Sequence, residues 1–271
     1  EEEGLTPKTR CVAVMESEAR ALLDAHRRFI RHGVCELGEE LGPLVDRVQS
    51  AMQTITADSE NVSSRFFVKL NDFSPKDRQA SELDFQASLA SMTETQPRTQ
   101  AAIQALAFSR SRALAVCGAE ESLLGLVRSS RIAEELERKL ELGGEFDGVD
   151  VVVREFIEEF SPEFEFRCFV HQGRITGASA MATMDLVVHY PEVVRRREEL
   201  RVGLLEFWKD KVAGKVWEMI RERGPADSVV VDLMYLSHSK QWMVVEFNPF
   251  ITSSAGHLFQ FTGRDLQVLQ G

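Results

Sequence analysis

The chain has 271 residues, 44% of them hydrophobic and 28% charged, with a net charge of −11. That suits one large domain or two intimate subdomains with a real core. The acidic balance argues against general nucleic-acid or anionic-membrane binding, which wants a basic surface, though not against a small basic pocket for one nucleotide. No apolar stretch reaches the roughly 18–20 residues of a membrane span.

The chain opens on Glu1-Glu2-Glu3 without Met, which reads as part of something longer. There is no secretory signal. Cys11, Cys35, Cys117 and Cys168 are scattered without C-x-x-C spacing, so neither a zinc site nor a disulfide framework is expected. This usage fits a reducing, cytoplasmic setting. None of the six histidines has metal-ligand spacing, and no Walker A loop or G-x-G-x-x-G run occurs.

A helix is expected from about Ser17 to Gly33, with Ala19, Leu22, Leu23, His26, Phe29 and Ile30 on one stripe. A second starts after Gly42, with Pro43 in its first turn. The strand Phe66-Phe67-Val68-Lys69-Leu70 follows, then a turn-rich loop through Ser74-Pro75-Lys76-Asp77. Lys69 reads either as an edge-strand lysine that blocks aggregation or as an ammonium aimed at a phosphate. Lys76 reads by default as a surface lysine.

Ser81 to Gln104 is polar with few large apolar residues and is expected to be partly mobile. Leu114-Ala115-Val116 reads as a short strand. Helices are expected at Glu120 to Val127 and at Ser130 to Leu142, with Ser130 as N-cap and Gly143-Gly144 as stop. Strands are expected at Val149 to Glu155, Glu163 to His171 and Arg174 to Ser179. A long amphipathic helix from about Glu192 to Arg223 is expected to break near Gly203 or Gly214. The mixed order predicts an α+β fold with antiparallel strands in the C-terminal half.

In Glu163 to Val170 the alternation is clean: Glu163, Glu165 and Arg167 share one face, Phe164, Phe166 and Cys168 the other. Arg167 reads either as one member of a surface ion pair or as a fork for phosphate oxygens.

Near the end, two apolar runs each carry one acid: Val229 to Tyr235 with Asp232, and Trp242 to Phe250 with Glu246. Joined by the polar stretch Ser237 to Lys240, they read as a β-hairpin. A turn centred near Ser239 sets Asp232 opposite Glu246, with Asn248 on the face of Glu246. Like charges directly opposite repel, and burying them without a partner costs more. A hard cation held by oxygen ligands, with phosphate completing its shell, answers both, so the hairpin predicts a Mg²⁺-nucleotide site.

Taken in order, Phe67 to Asn71, Ser74 to Asp77, Leu124 to Ile132, Val153-Arg154, Glu165 to Val170 and Glu246 to Phe250 resemble the cell division cycle protein 123 family, also called the D-one-two-three family. The likeness runs from about Leu41 to Leu266. It implies an ATP-grasp fold in which two subdomains clamp ATP. It implies Mg²⁺ on Asp232, Glu246 and Asn248, and phosphate contacts from Lys69, Arg154 and Arg167; Lys76 is a further candidate cation that could stand in for a lost acceptor-site residue. It also implies adenine at a hinge formed by Glu155, Phe156 and Ile157. On this basis 1–40 is expected to be a helical extension, 41–148 the first ATP-grasp subdomain and 149–271 the second, carrying the metal.

The implied function is an ATP-dependent assembly chaperone whose client is a protein, with translation initiation factor 2 and its gamma subunit as the family's example. A carboxylate-amine ligase forming an acyl-phosphate and a structural pseudoenzyme are the alternatives. The chain departs from the family pattern where Glu246 stands for the usual Asp, where Glu155 stands for a basic residue, and where Ala180-Met181-Ala182 replaces a Gln-Arg-Asp triplet.

Overall fold

Two four-stranded antiparallel sheets organise the chain, one in each of two units: residues 8–158, and residues 1–7 with 159–271. The computed structural model describes residues 4–58, 64–71, 73–77, 81–94, 97–141, 146, 148–183, 186–187, 190–222, 227–251, 254 and 258–270. The expected helix stop at Gly143-Gly144, the helix end at Arg223, and Asp72, His189 and His257 lie outside those residues. Among the described residues no helix is long and apolar enough to cross a membrane.

In the unit 8–158 the strands are β1 (Thr9–Ala13), β2 (Phe66–Leu70), β3 (Ala115–Val116) and β4 (Asp150–Glu155), in the order β1-β4-β2-β3. One face carries Val12, Val68, Leu70, Val151 and Val153. These pack in one core with helices α1 (Glu16–His32), α2 (Gly42–Ala57), α5 (Ala119–Val127) and α6 (Ser130–Glu141). Leu22, Leu44, Val48, Met52, Leu123 and Leu126 are each no more than 2% exposed. As expected, α1 stops at Gly33, whose φ of 70° is the left-handed geometry glycine adopts without steric penalty. Ile30, expected on the buried stripe, is 61% exposed.

Three sequence expectations change here. Residues 81–104 hold two helices, α3 (Glu82–Thr93) and α4 (Arg98–Ala113), which pack on each other as a hairpin. Ser129, not Ser130, caps α6: its Oγ accepts from Ile132 N and donates to Asp77 Oδ1. The division expected at 40 and 148 also differs from the observed grouping. β1 bonds antiparallel to β4 with Cys11 opposite Val152, and β4 bonds to β2, so the first strand and residues 150–155 belong to one sheet.

In the other unit the order is β10-β9-β5-β6, with β5 (Glu165–His171), β6 (Arg174–Ala180), β9 (Ser228–Leu236) and β10 (Gln241–Pro249). A two-stranded ladder, β7 (Ala182–Thr183) with β8 (Leu186–Val187), follows β6. The β5–β6 turn is Gln172-Gly173, both at positive φ, as a two-residue hairpin turn requires. One sheet face buries Phe166, Cys168, Val231, Leu233, Tyr235 and Trp242 under α8 (Arg197–Phe207) and the π-helical turn Trp208–Val212. The expected long helix is interrupted at Arg196, between α7 (Pro191–Arg195) and α8, and at the π turn before α9 (Ala213–Glu222), not at either glycine.

On the opposite face Phe169 is fully buried and meets Phe250, Phe259 and Phe261 edge-on. Gly177 allows this approach, since a Cβ there would lie 2.9 Å from Leu269 Cδ2 and 3.2 Å from Phe259 Cζ. Leu269 belongs to α10 (Gly263–Leu269), and its carbonyl accepts from Thr176 Oγ1 at 2.7 Å.

Candidate functional site

A β-bulge decides which residues share the charged face of the second sheet. From Gln241 opposite Leu236 to Val244 opposite Leu233 the hairpin is regular, and Trp242 and Val244 point into the core. The ladder then shifts between Val244 and Glu246. Without that extra residue Val245 would face Asp232. With it, Glu246 does, and Asn248 faces Val230. A bulge re-aims side chains in this way. The expected Asp232–Glu246 pairing is therefore present, reached through a bulge rather than through a turn centred on Ser239.

Arg167 on β5 stands directly opposite Asp232, so Arg167, Asp232 and Glu246 form one row across three strands. Asp232 is 1% exposed and Arg167 7%. The guanidinium grips the carboxylate with both arms, Nε to Oδ1 at 2.8 Å and Nη2 to Oδ2 at 2.6 Å, and its Nη1 donates to the carbonyl of Ser254. Asn248 Nδ2 donates to Asp232 Oδ2 at 3.2 Å. Burial opposes the arginine charge, but the hydrogen bond and charge of Asp232, with Glu246 and Glu165 behind it, outweigh that and hold its pKa above the ordinary value. Cys168 points to the other face. Burial first, then the charge of Asp232, pushes its thiol far above the usual range, so it is an inert core thiol.

This arrangement supplies a partner for the buried acid that the sequence left open. One charge of the Asp232–Glu246 pair is answered by Arg167. Among the described residues no three His, Cys, Asp or Glu side chains gather as a metal site. The hairpin set is two carboxylates and an amide. With Asn248 Nδ2 turned to Asp232, its carbonyl oxygen is left as a donor, so the set is all oxygen. A carboxylate oxygen has more than one acceptor position, so the Arg167 contact does not exhaust Asp232. Such hard donors fit Mg²⁺, which keeps other oxygens from water or phosphate in its shell.

In the unit 8–158 the face of the sheet away from the helical core brings together Thr9, Cys11, Val152, Arg154, Phe67 and Lys69. Cys11 is opposite Val152, and Val152 opposite Lys69; Thr9 is opposite Arg154, and Arg154 opposite Phe67. Arg154 Nε donates to Thr9 Oγ1 at 3.3 Å. Lys69 is 6% exposed, too buried for a lysine that merely guards an edge.

Glu155, Phe156 and Ile157 are half-buried where the chain leaves β4. Glu155 N donates to Lys8 O and Phe156 N to Arg65 O, and the Phe156 ring lies 5.1 Å below the Arg65 guanidinium. Lys76 is exposed in its turn, beside Asp77, which holds Ser129 and Arg131 N at the start of α6.

Thr9, Cys11 and Ser254 were not picked out by sequence. Cys11 provides a direct test of this face. It is exposed; burial and Asp150 raise its thiol pKa, while the charges of Arg154 and Lys69 act the other way. A phosphate chain held by Lys69 and Arg154 would cover it. Alkylation of Cys11 is expected to slow several-fold with ATP·Mg²⁺, while exposed Cys117 labels at an unchanged rate; peptide mass spectrometry reads both. Equal labelling of Cys11 with and without nucleotide would remove the phosphate role from this face.

A family model described as D123 matches residues 112–267, a stretch that includes Arg154, Arg167, Asp232, Glu246 and Asn248 but not Lys69 or Lys76. A translation initiation factor eIF2 assembly protein of Xenopus laevis is 30% identical over 101 residues, 37% of this chain. That stretch is 26% of the relative, so the chain spans about a quarter of its length. The solved structure of Cdc123 from Schizosaccharomyces pombe superposes with a TM-score of 0.57 at 17% identity, over 95% of this chain and 83% of that one. Its C-terminally truncated form gives the same figures. The shared architecture is α+β with antiparallel sheets.

Proposed function

We propose, from the premise that the chain belongs to the D123 family, that it binds ATP with Mg²⁺ and uses that binding to assemble a protein complex. The observation that carries this is the row Arg167–Asp232–Glu246, with Arg167 and Asp232 buried and Asn248 beside them. Mg²⁺ placed beside the Arg167 guanidinium gathers positive charge, which the triphosphate of ATP offsets. The metal is therefore expected to bind with the nucleotide rather than alone. Asp232, Glu246 and the Asn248 carbonyl would hold Mg²⁺. Lys69 and Arg154, with Lys76 nearby in sequence, would neutralise phosphate charge, and Glu155, Phe156 and Ile157 would receive the base.

The client is proposed to be translation initiation factor 2, through its gamma subunit, in the cytoplasm. The support is the likeness to the Xenopus laevis assembly protein and the family membership. In the test, purified subunits of the initiation factor are mixed with the chain and resolved by size. A complex with the gamma subunit that forms with ATP·Mg²⁺, and weakens without it, is the expected result. No complex, or one indifferent to nucleotide, would contradict the assembly role.

A further inference from the structure

Where β10 ends, the chain turns back over the sheet. Ile251 N donates to Pro249 O at 2.9 Å, and Ser254 N to Ile251 O at 3.0 Å. Ser254 is buried, and its hydroxyl and its carbonyl are both engaged. The hydroxyl donates to Pro249 O, and the carbonyl accepts from Arg167 Nη1. Buried polar groups are normally paired, so the plain account of this serine is that it stabilises a turn.

Its place on the sheet says more. Asn248, Val230 and Phe169 stand in one row across β10, β9 and β5. Glu246, Asp232, Arg167 and Ser179 form the next row on the same face, since side chains two apart on a strand point the same way. The turn rests on the first row, where Phe250 meets Phe169 edge-on at 6.3 Å and Phe261 at 5.1 Å. From there Ser254 reaches Arg167 in the second row.

The contacts close on themselves. Arg167 grips Asp232, and Asn248 Nδ2 donates to the same carboxylate. Asn248 leads by a peptide bond to Pro249, whose carbonyl accepts from Ser254, and the Ser254 carbonyl accepts from Arg167. The closed path fixes the amide that would offer Mg²⁺ its oxygen relative to the guanidinium that shares Asp232.

We infer that Ser254 is a positioning residue for the magnesium set, acting on Asn248 through Pro249 and on Arg167 through its own carbonyl. It touches neither metal nor phosphate. The inference rests on the reading that Asp232, Glu246 and Asn248 hold Mg²⁺ with ATP. Mg²⁺ demands near-ideal octahedral geometry, so a small swing of Asn248 or of the arginine fork costs metal affinity. Removing a group that orients a metal ligand typically costs about 10–100-fold in metal affinity.

Thermal melts at saturating ATP and increasing Mg²⁺ test it in the wild type, Ser254→Ala, Ser254→Thr and Thr176→Ala. The quantity read is the Mg²⁺ concentration that gives half of the full rise in melting temperature. Ser254→Ala loses the hydroxyl bond but keeps the carbonyl, and should need about tenfold more Mg²⁺. Ser254→Thr keeps the hydroxyl and should stay close to the wild-type requirement. Thr176→Ala removes the hydroxyl that donates to Leu269 O at 2.7 Å, near the far end of the chain that follows β10. It should lower the melting temperature and leave the Mg²⁺ requirement unchanged. A wild-type requirement in Ser254→Ala, or as large a rise in Ser254→Thr or Thr176→Ala, would return Ser254 to a turn-stabilising role and overturn the inference alone. No rise in the wild type with ATP and Mg²⁺ would overturn the metal reading and the inference with it.

Discussion

Arg167→Ala is expected to lower stability by ~3–5 kcal/mol, the loss that follows when one partner of a buried ion pair is removed and the other charge stays behind. Asp232 is 1% exposed, and Asn248 Nδ2 would still donate to it at 3.2 Å. The Ser254 carbonyl would lose its donor as well, loosening the segment that follows Pro249. Arg167→Lys keeps the charge but not the planar fork that spans both Asp232 oxygens, so it should recover part of the loss and not all of it. Urea unfolding of the wild type and both variants gives the comparison. A change below ~1 kcal/mol for Arg167→Ala would show that Asp232 is held by something other than the arginine.

The second large effect separates the two acids. Asp232→Asn preserves shape but removes the counter-charge of Arg167, so the nucleotide-free protein should lose ~1–3 kcal/mol. The loss stays moderate because Glu246 and Glu165 also act on the guanidinium. Glu246→Gln is expected to behave differently. Glu246 is half-buried and stands across the ladder from Asp232, where repulsion from that acid and attraction to Arg167 oppose each other, so Glu246→Gln should cost the nucleotide-free protein less than Asp232→Asn does. Both substitutions should cut magnesium-dependent ATP affinity. A destabilised Glu246→Gln with intact magnesium dependence would make the row purely structural.

The hairpin acids were legible because charge in an apolar strand is conspicuous and the short turn limits the register. The route was not legible: the bulge at Val245 leaves no mark in Met243-Val244-Val245-Glu246, which reads as an unbroken run. The Arg167–Asp232 grip was hidden for a related reason. Each residue was visible as the odd charge in its own strand, but nothing local says that β5 lies beside β9, and without that neighbour a cation was the simplest answer to two facing acids.

β1 escaped notice because Thr9, Arg10 and Cys11 give no alternation; its hydrogen bonds to β4, from a distant part of the chain, make it a strand. Helices α3 and α4 were missed because they lack a wide apolar stripe: α3 buries no residue, and the buried positions of α4 are small or polar, such as Ala101, Gln104, Ala105 and Ser109. The amphipathic helices α1, α2, α5 and α6 were recoverable because large side chains recur along one face of each.

The claim that the chain binds ATP through a magnesium held at Asp232, Glu246 and Asn248 is tested most directly by thermal melts. Wild type and Glu246→Gln are each melted alone, with Mg²⁺, with ATP, and with both. A ligand at ~100 times its dissociation constant adds roughly 2.7 kcal/mol to the folded state. The account predicts a rise in melting temperature for the wild type with ATP and Mg²⁺ together, little with Mg²⁺ alone, and a much smaller rise in Glu246→Gln. No shift at millimolar ATP·Mg²⁺, or the same shift in both proteins, would contradict it.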